Sequence, residues 1–250
     1  MEFAAKKIAI TGAGREFGQT LAVNFAKLGA ELFVTARTTA KARATELIVN
    51  SAAADATIHC FAADLRDPKQ LRGFAREIAD VTGTIDILIH NAAFWLERDF
   101  LETDDQDIVD AIATSATGAI LVTKHLLPLL KKSEAADMVF LNGTTALPNN
   151  RHGANEAFSA AKAAQSTFAD RMRHRLRKDG IRVLTIYPPD FENTSPLQPE
   201  PWTRRRDSFA DQKLTAGNVF ECIRFALSQD RICSVDQIVL SNNNGSDMGN

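Results

Sequence analysis

Between Ala157 and Ala169 a single side chain carries charge, Lys162. The stretch around it, "ANEAFSAAKAAQ", is rich in alanine and reads as a helix suited to burial. Phe158 lies one helical turn earlier on the same face, so ring and ammonium are neighbours. A lone ammonium in such a run needs a reason, and a ring without a hydroxyl does not supply one. The competing reading is a lysine that snorkels from an alanine-rich helix to water.

A second group of residues addresses a different chemistry. In "IAITGAGREFG", Gly12, Gly14 and Gly18 stand between an apolar run and a helix start. Small residues there let the backbone approach a pyrophosphate, whose charge the N–H groups and dipole of the helix N-terminus favour. Without a ligand the same pattern is simply a tight strand-to-helix turn. The next apolar run, "ELFVTARTT", ends on Ala36 and Arg37, without the acidic residue that would hold a ribose 2′-hydroxyl. The planar fork of Arg37 suits a 2′-phosphate instead, and Arg15 in the glycine loop adds a second positive charge. The pair tilts the expected cofactor towards NADP(H) over NAD(H). Either arginine by itself reads equally as solvated at the end of an element.

These groups need a scaffold, and the chain alternates strand-like and helical stretches almost throughout. "KKIAIT", "ELFVTA", "TIHCFAA", "IDILIH", "DMVFLN", "IRVLTIY" and "QIVLS" are the strand candidates. Most are continuously apolar, as expected of parallel strands covered on both faces. Helices are expected near 18–29, 38–50, 68–82, 104–131, 154–178 and 215–229. Gly29-Ala30 and Asp179-Gly180 close two of them, and Asp67-Pro68 opens another. The expected fold is therefore α/β, one Rossmann-type doubly wound parallel sheet of about seven strands with helices on both faces. We take residues 1–250 as a single domain of this type. Residues 188–213 break the rhythm: they hold five of the eight prolines, Trp202 and the run Arg204–Arg206. An irregular insertion of this kind reads as a substrate loop.

Composition narrows the function classes. With 250 residues, 45% of them hydrophobic, the chain can bury one substantial core. A net charge of −2 provides no field for nucleic acid, and no charged tail marks a membrane surface. The apolar runs are too short to span a bilayer, and "MEFAAKKIAITGAG" does not read as a signal peptide. Cys60, Cys222 and Cys233 are scattered and odd in number, which fits a reducing cytoplasm. The histidines show no paired ligand spacing, so no metal is expected.

Taken in order, these motifs resemble the short-chain dehydrogenase/reductase family over nearly the whole length. "TGAGREFG" is similar to the family's TGxxxGxG loop at Thr11, Gly12 and Gly18, with Gly14, Arg15 and Phe17 inside the same expected cofactor loop. "AADLRD" is similar to its adenine-contacting segment, which implies that role for Asp64 and Leu65. "DILIHNAA" resembles its NNAG strand end at Asn91, and "KDGIRVLTIYPP" its sixth strand and PG turn at Pro188. Lys162 falls on the lysine of YxxxK. The resemblance implies that Lys162 hydrogen-bonds the nicotinamide ribose and lowers the pKa of a neighbouring phenol.

The resemblance also exposes departures. The tyrosine of YxxxK, whose hydroxyl would exchange a proton with the carbonyl oxygen, is Phe158. Losing such a group costs about 10²–10⁴-fold in rate. The family's serine falls on or beside Thr145, which keeps a hydroxyl, and its helix asparagine on Ser115. The middle glycine of the loop is Glu16, and the glycine of the PG turn is Pro189, which lacks a backbone donor. Tyr187, His152 and Glu156 are the candidate substitute acids. Each also has a plainer reading, as a strand-end ring, a loop residue and a helix-start residue.

The sequence thus points to an NADP(H)-linked oxidoreductase with a degenerate acid–base site, acting on a small carbonyl or alcohol compound. The catalytic set is Lys162, Thr145, Ser115 and Phe158. The alternative is a catalytically silent relative that binds a nucleotide or a partner, and a weaker one is a structural partner in a mixed oligomer. Phe94, Trp95, Phe191 and Trp202 read as an apolar pocket wall or as packing. By the resemblance, the helices at 104–131 and 154–178 pair across a homo-oligomer, dimer or tetramer, with "RMRHRLRK" at 171–178 near one end.

Overall fold

The computed structural model describes residues 2–148, 154–193, 195–197 and 213–242. Seven strands run through them: β1 Lys7–Ile10, β2 Glu31–Ala36, β3 Ile58–Ala62, β4 Ile87–His90, β5 Asp137–Leu141, β6 Arg182–Tyr187 and β7 Gln237–Val239. All pairings are parallel, in the order β3-β2-β1-β4-β5-β6-β7. The four residues of β4 are buried throughout, as are the five of β5, so both faces must be covered. The two edges, β3 and β7, are the more open strands.

Successive strand residues feed opposite cores. Ile8, Ile10, Leu32, Val34, Ile87 and Ile89 pack under α1 (Glu16–Lys27) and α7 (Ala216–Leu227). Ala9, Phe33, Leu88, Met138 and Phe140 pack under α3 (Pro68–Val81), α5 (Ala119–Leu130) and α6 (Glu156–Leu176). The helix-closing glycines behave as their sequence context requires, with φ of +89° at Gly29 and +69° at Gly180. Asp67 caps α3 by accepting the amides of Lys69 and Gln70, and Pro68 follows as the first helical residue. Helix α2 (Thr39–Ala52) starts on the Thr38 side chain, which accepts the Lys41 amide.

The helix expected at 104–131 is divided. α4 (Asp105–Ile112) runs into a π-helical turn, Ala113–Gly118, before α5 resumes. The turn lets the helix pass Leu65 closely: a Cβ at Gly118 would come within 2.9 Å of the Leu65 Cβ. The continuous segment Asp105–Leu130 corrects one expectation from run length. By length and composition it is long and apolar enough to cross a membrane. In this fold Ala119, Val122, Leu126 and Leu130 are buried in the core beside α3 and α6.

Chain reversal in strand order occurs between β1 and β4: β1 to β3 extend one way and β4 to β7 the other. Strands diverge from there, so a crevice opens at their C-terminal ends. Behind it, Glu192 exchanges backbone hydrogen bonds with Leu214 and Ala216, joining the chain on either side of the irregular segment. Trp202, Arg204–Arg206 and His152 lie outside the described residues.

Candidate functional site

The crevice is a cleft of about 910 Å³. Its floor is the glycine loop. Gly12 has a φ of +68°, and a Cβ there would lie 2.7 Å from the Ala92 Cα, so only glycine fits. The Asn91 side chain fixes this approach by donating to the carbonyls of Thr11 and Gly12, both at 3.1 Å. In return the Thr11 hydroxyl accepts the amides of Asn91 at 3.1 Å and Ala92 at 3.3 Å. Gly14, Arg15, Phe17 and Gly18 line the same floor. No side chain caps the start of α1, which leaves its first-turn amides for an anion. Glu16 departs from the pattern: it is not glycine, yet its φ is +50°. Its exposed carboxylate turns towards Arg15, 3.8 Å away.

At one end of the cleft stand cations. Arg37, just past the end of β2, lines it with Lys41; Arg37 adds to the charge that holds the Asp64 carboxyl down. Arg66 also lines this end, but its charge is engaged. It chelates Asp64, with Nε to Oδ1 at 2.9 Å, and reaches Asp110 on α4. The Arg66 guanidinium holds the Asp64 carboxyl below the usual carboxylate range. Leu65 is buried beside it, against Gly118.

At the other end is Lys162, on α6, only 3% exposed. Its ammonium donates to the Leu141 carbonyl at 2.9 Å and lies 5.8 Å from the Phe158 ring centroid. Burial pushes its pKa down to about 8. The Asn142 side chain donates to the Lys162 carbonyl at 3.0 Å and so ties α6 to the end of β5. Phe158 is buried and meets Trp95 edge to face, centroids 4.7 Å apart. Phe94 and Trp95 form the adjoining apolar wall. Thr145 also lines the cleft, and its hydroxyl shares a short hydrogen bond with that of Ser159. Pro188 and Pro189 border this end, and the Pro188 carbonyl accepts the Thr144 amide at 3.0 Å.

The profile of the short chain dehydrogenase family matches residues 6–202. The chain belongs to that family. Among curated relatives it is 30% identical over 160 residues to an uncharacterized oxidoreductase of Mycobacterium tuberculosis, covering 64% of this chain and 59% of that protein. It is 27% identical over 183 residues to the ketoacyl reductase HetN of a Nostoc species, covering 73% and 62%. The chain therefore spans about three fifths of the length of these curated relatives. Solved structures share the fold. Levodione reductase aligns over 99% of this chain and 100% of its own, with a TM-score of 0.81 at 18% identity. A metagenomic short-chain oxidoreductase in complex with NADP aligns over 96% and 98%, with a TM-score of 0.77 at 18% identity.

Not every residue expected in this short-chain dehydrogenase's site reaches the cleft. Ser115 is fully buried in the π-helical turn, its hydroxyl has no partner among the described residues, and Thr114 lines the cleft instead. Even the Ser115 carbonyl is taken, by Gln165 Nε2 at 2.9 Å. The extra residue in the turn rotates the side chains relative to a regular helix, which no residue count could anticipate. Tyr187 is 1% exposed and its hydroxyl pairs with Ser166 at 2.7 Å, under α6 and outside the cleft lining. Glu156 is exposed at the start of α6 and likewise outside the lining. Phe191 does line the cleft, packed against Phe17 with centroids 5.2 Å apart.

Lys41, Arg66, Asn142 and Ser159 were not singled out by the sequence. Lys41 lies in the first turn of α2, just past Arg37 and the Thr38 cap, and the short spacing between the two cations could have marked it. Ser159 carried no such signal, because its partner Thr145 belongs to another element. Among the described residues no group of three His, Cys, Asp or Glu is placed to hold a metal.

Proposed function

We propose that this short-chain dehydrogenase is an NADP(H)-linked oxidoreductase for a small carbonyl or alcohol compound, working without a tyrosine acid. One observation carries the reading: a single cleft joins the Arg15, Arg37 and Lys41 cations to the Lys162 amine and the Thr145 hydroxyl. No acidic residue ends β2, so a 2′-phosphate meets charge of the right sign there. The glycine cradle and the uncapped start of α1 suit a pyrophosphate. Structures of the same fold include complexes with NADP and, for an alcohol dehydrogenase of Thermococcus sibiricus, with 5-hydroxy-NADP.

When bound, the reduced nicotinamide supplies a hydride to the carbonyl carbon. In this reading Arg37, Lys41 and Arg15 hold the 2′-phosphate, Asp64 and Leu65 border the adenine, and Lys162 holds the nicotinamide ribose. Thr145 hydrogen-bonds the substrate oxygen with Ser159 behind it. Phe158 stands where the family's tyrosine would be. It shapes the apolar wall with Trp95, and water delivers the proton that the ring cannot. Val109, Ile112 and Ile120, exposed along the α4–α5 segment, suit the pairing of two copies in a homo-oligomer.

Calorimetric titration with NADPH and, in parallel, NADH tests the cofactor assignment. Micromolar NADPH binding with weaker NADH is expected. Failure of both to bind overturns it.

A further inference from the structure

We propose that Lys162 is a carbonyl-reactive amine, forming an imine with an aldehyde or ketone admitted to the cleft. The claim goes beyond the oxidoreductase reading and does not rest on dinucleotide binding.

The geometry is that of a lysine kept reactive. An ammonium paired with a carboxylate keeps its proton and its lone pair is blocked. Lys162 has no such partner among the described residues: one backbone carbonyl, that of Leu141, and the face of a phenyl ring are its neighbours. The carboxylates that line the cleft are engaged elsewhere. Asp64 is held by Arg66, Glu16 by Arg15 and Asp190 by Lys213. Glu97, the remaining carboxylate of the lining, is exposed, and burial alone accounts for the lowered pKa of Lys162. Phe158, having no hydroxyl, cannot bind the amine lone pair by a hydrogen bond.

Burial then favours the neutral amine. With its pKa lowered to about 8, about a tenth of Lys162 is unprotonated at neutral pH, roughly 300-fold more than an ordinary exposed lysine. Phe94 and Trp95 beside Phe158 give the substituents of a carbonyl compound an apolar seat. Desolvated lysines in apolar surroundings are the ones that serve as Schiff-base nucleophiles.

The step balances without a redox partner. The amine lone pair adds to the carbonyl carbon, a C–N bond forms, and the oxygen takes a proton to give a carbinolamine. The C–O bond then breaks, water leaves, and C=N forms, so that amine and carbonyl yield imine and water. Thr145, one of the threonines that line the same cleft, offers the departing oxygen a hydroxyl backed by its hydrogen bond to Ser159.

The test uses the full chain with propanal and cyanoborohydride near neutral pH, followed by peptide mass spectrometry. The peptide bearing Lys162 should be alkylated at least about tenfold faster than the exposed lysines, and Lys162→Gln should remove that fast site alone. Saturating NADPH should protect Lys162. If Lys162 labels quickly and NADPH gives no protection, the amine chemistry stands and the dinucleotide reading fails. If Lys162 reacts no faster than exposed lysines, the inference is overturned, whatever NADPH does.

Discussion

The Lys162 ammonium lies 5.8 Å from the Phe158 ring centroid and 2.9 Å from the Leu141 carbonyl oxygen, with no carboxylate partner among the described residues. A cation over a desolvated ring gains about 2 kcal/mol at best, less than burying the charge costs. The charged amine is therefore a net cost to stability. Each of the following expectations tests part of that arrangement.

Lys162→Met should stabilise the fold. Because the folded pKa, about 8, lies below the ordinary value of 10.5, the charged amine costs about 3 kcal/mol at pH 7. The sign is fixed: below pH 8 the full cost is present, and it fades as pH rises from 8 towards 10.5. Urea unfolding should show the wild type gaining stability over that window while Lys162→Met does not. Equal pH profiles would mean that the amine is solvated.

Phe158→Tyr should raise carbonyl reduction by about 10²–10⁴-fold, the usual worth of a positioned acid. Phe158 lines the cleft, so an added hydroxyl has open space on that side and the fold should tolerate the change. NADPH oxidation over a panel of small ketones and aldehydes is the assay. No gain on any of them would show that the site has diverged beyond one missing hydroxyl.

Glu16→Gly should relieve the left-handed backbone at φ +50°, a conformation that costs an L-residue about 1 kcal/mol. Thermal unfolding should register a gain of that order, reduced by the freedom glycine adds to the unfolded chain. Removing the carboxylate from the loop should also tighten NADPH. A lower melting temperature would contradict the strain argument.

Arg37→Ala should weaken NADPH by roughly 10–100-fold, the scale of a charge-assisted hydrogen bond, and leave NADH nearly unchanged. Lys41→Ala should act in the same direction and more weakly, since its ammonium is a point charge rather than a fork. Parallel titrations decide. An equal loss for both dinucleotides would remove the 2′-phosphate assignment.

Much of the frame could be read directly. Continuously apolar runs such as "IDILIH" and "IRVLTIY" became central strands because residues that are apolar on both faces must be covered on both. Gly29, Asp67-Pro68 and Gly180 marked helix ends through backbone preferences that act within a turn. The glycine loop, Arg37 and the placement of Lys162 on a buried helix followed from the same local rules.

Pairings across the chain were different. Thr145 finds Ser159 14 residues away, Arg66 finds Asp110 44 residues away, and Gln165 takes the Ser115 carbonyl from 50 residues away. Tyr187 looked available at a strand end, but packing under α6 gave its hydroxyl to Ser166. Ser115, expected in the site from its count along the helix, lies buried in the π-helical turn outside the cleft. By itself the sequence determined the order of elements and the residue types delivered to the strand ends. Which hydroxyls are free to meet a ligand, and which charges are already neutralised, was decided by tertiary packing. Those outcomes depend on contacts between elements distant in sequence, where local propensity has no reach.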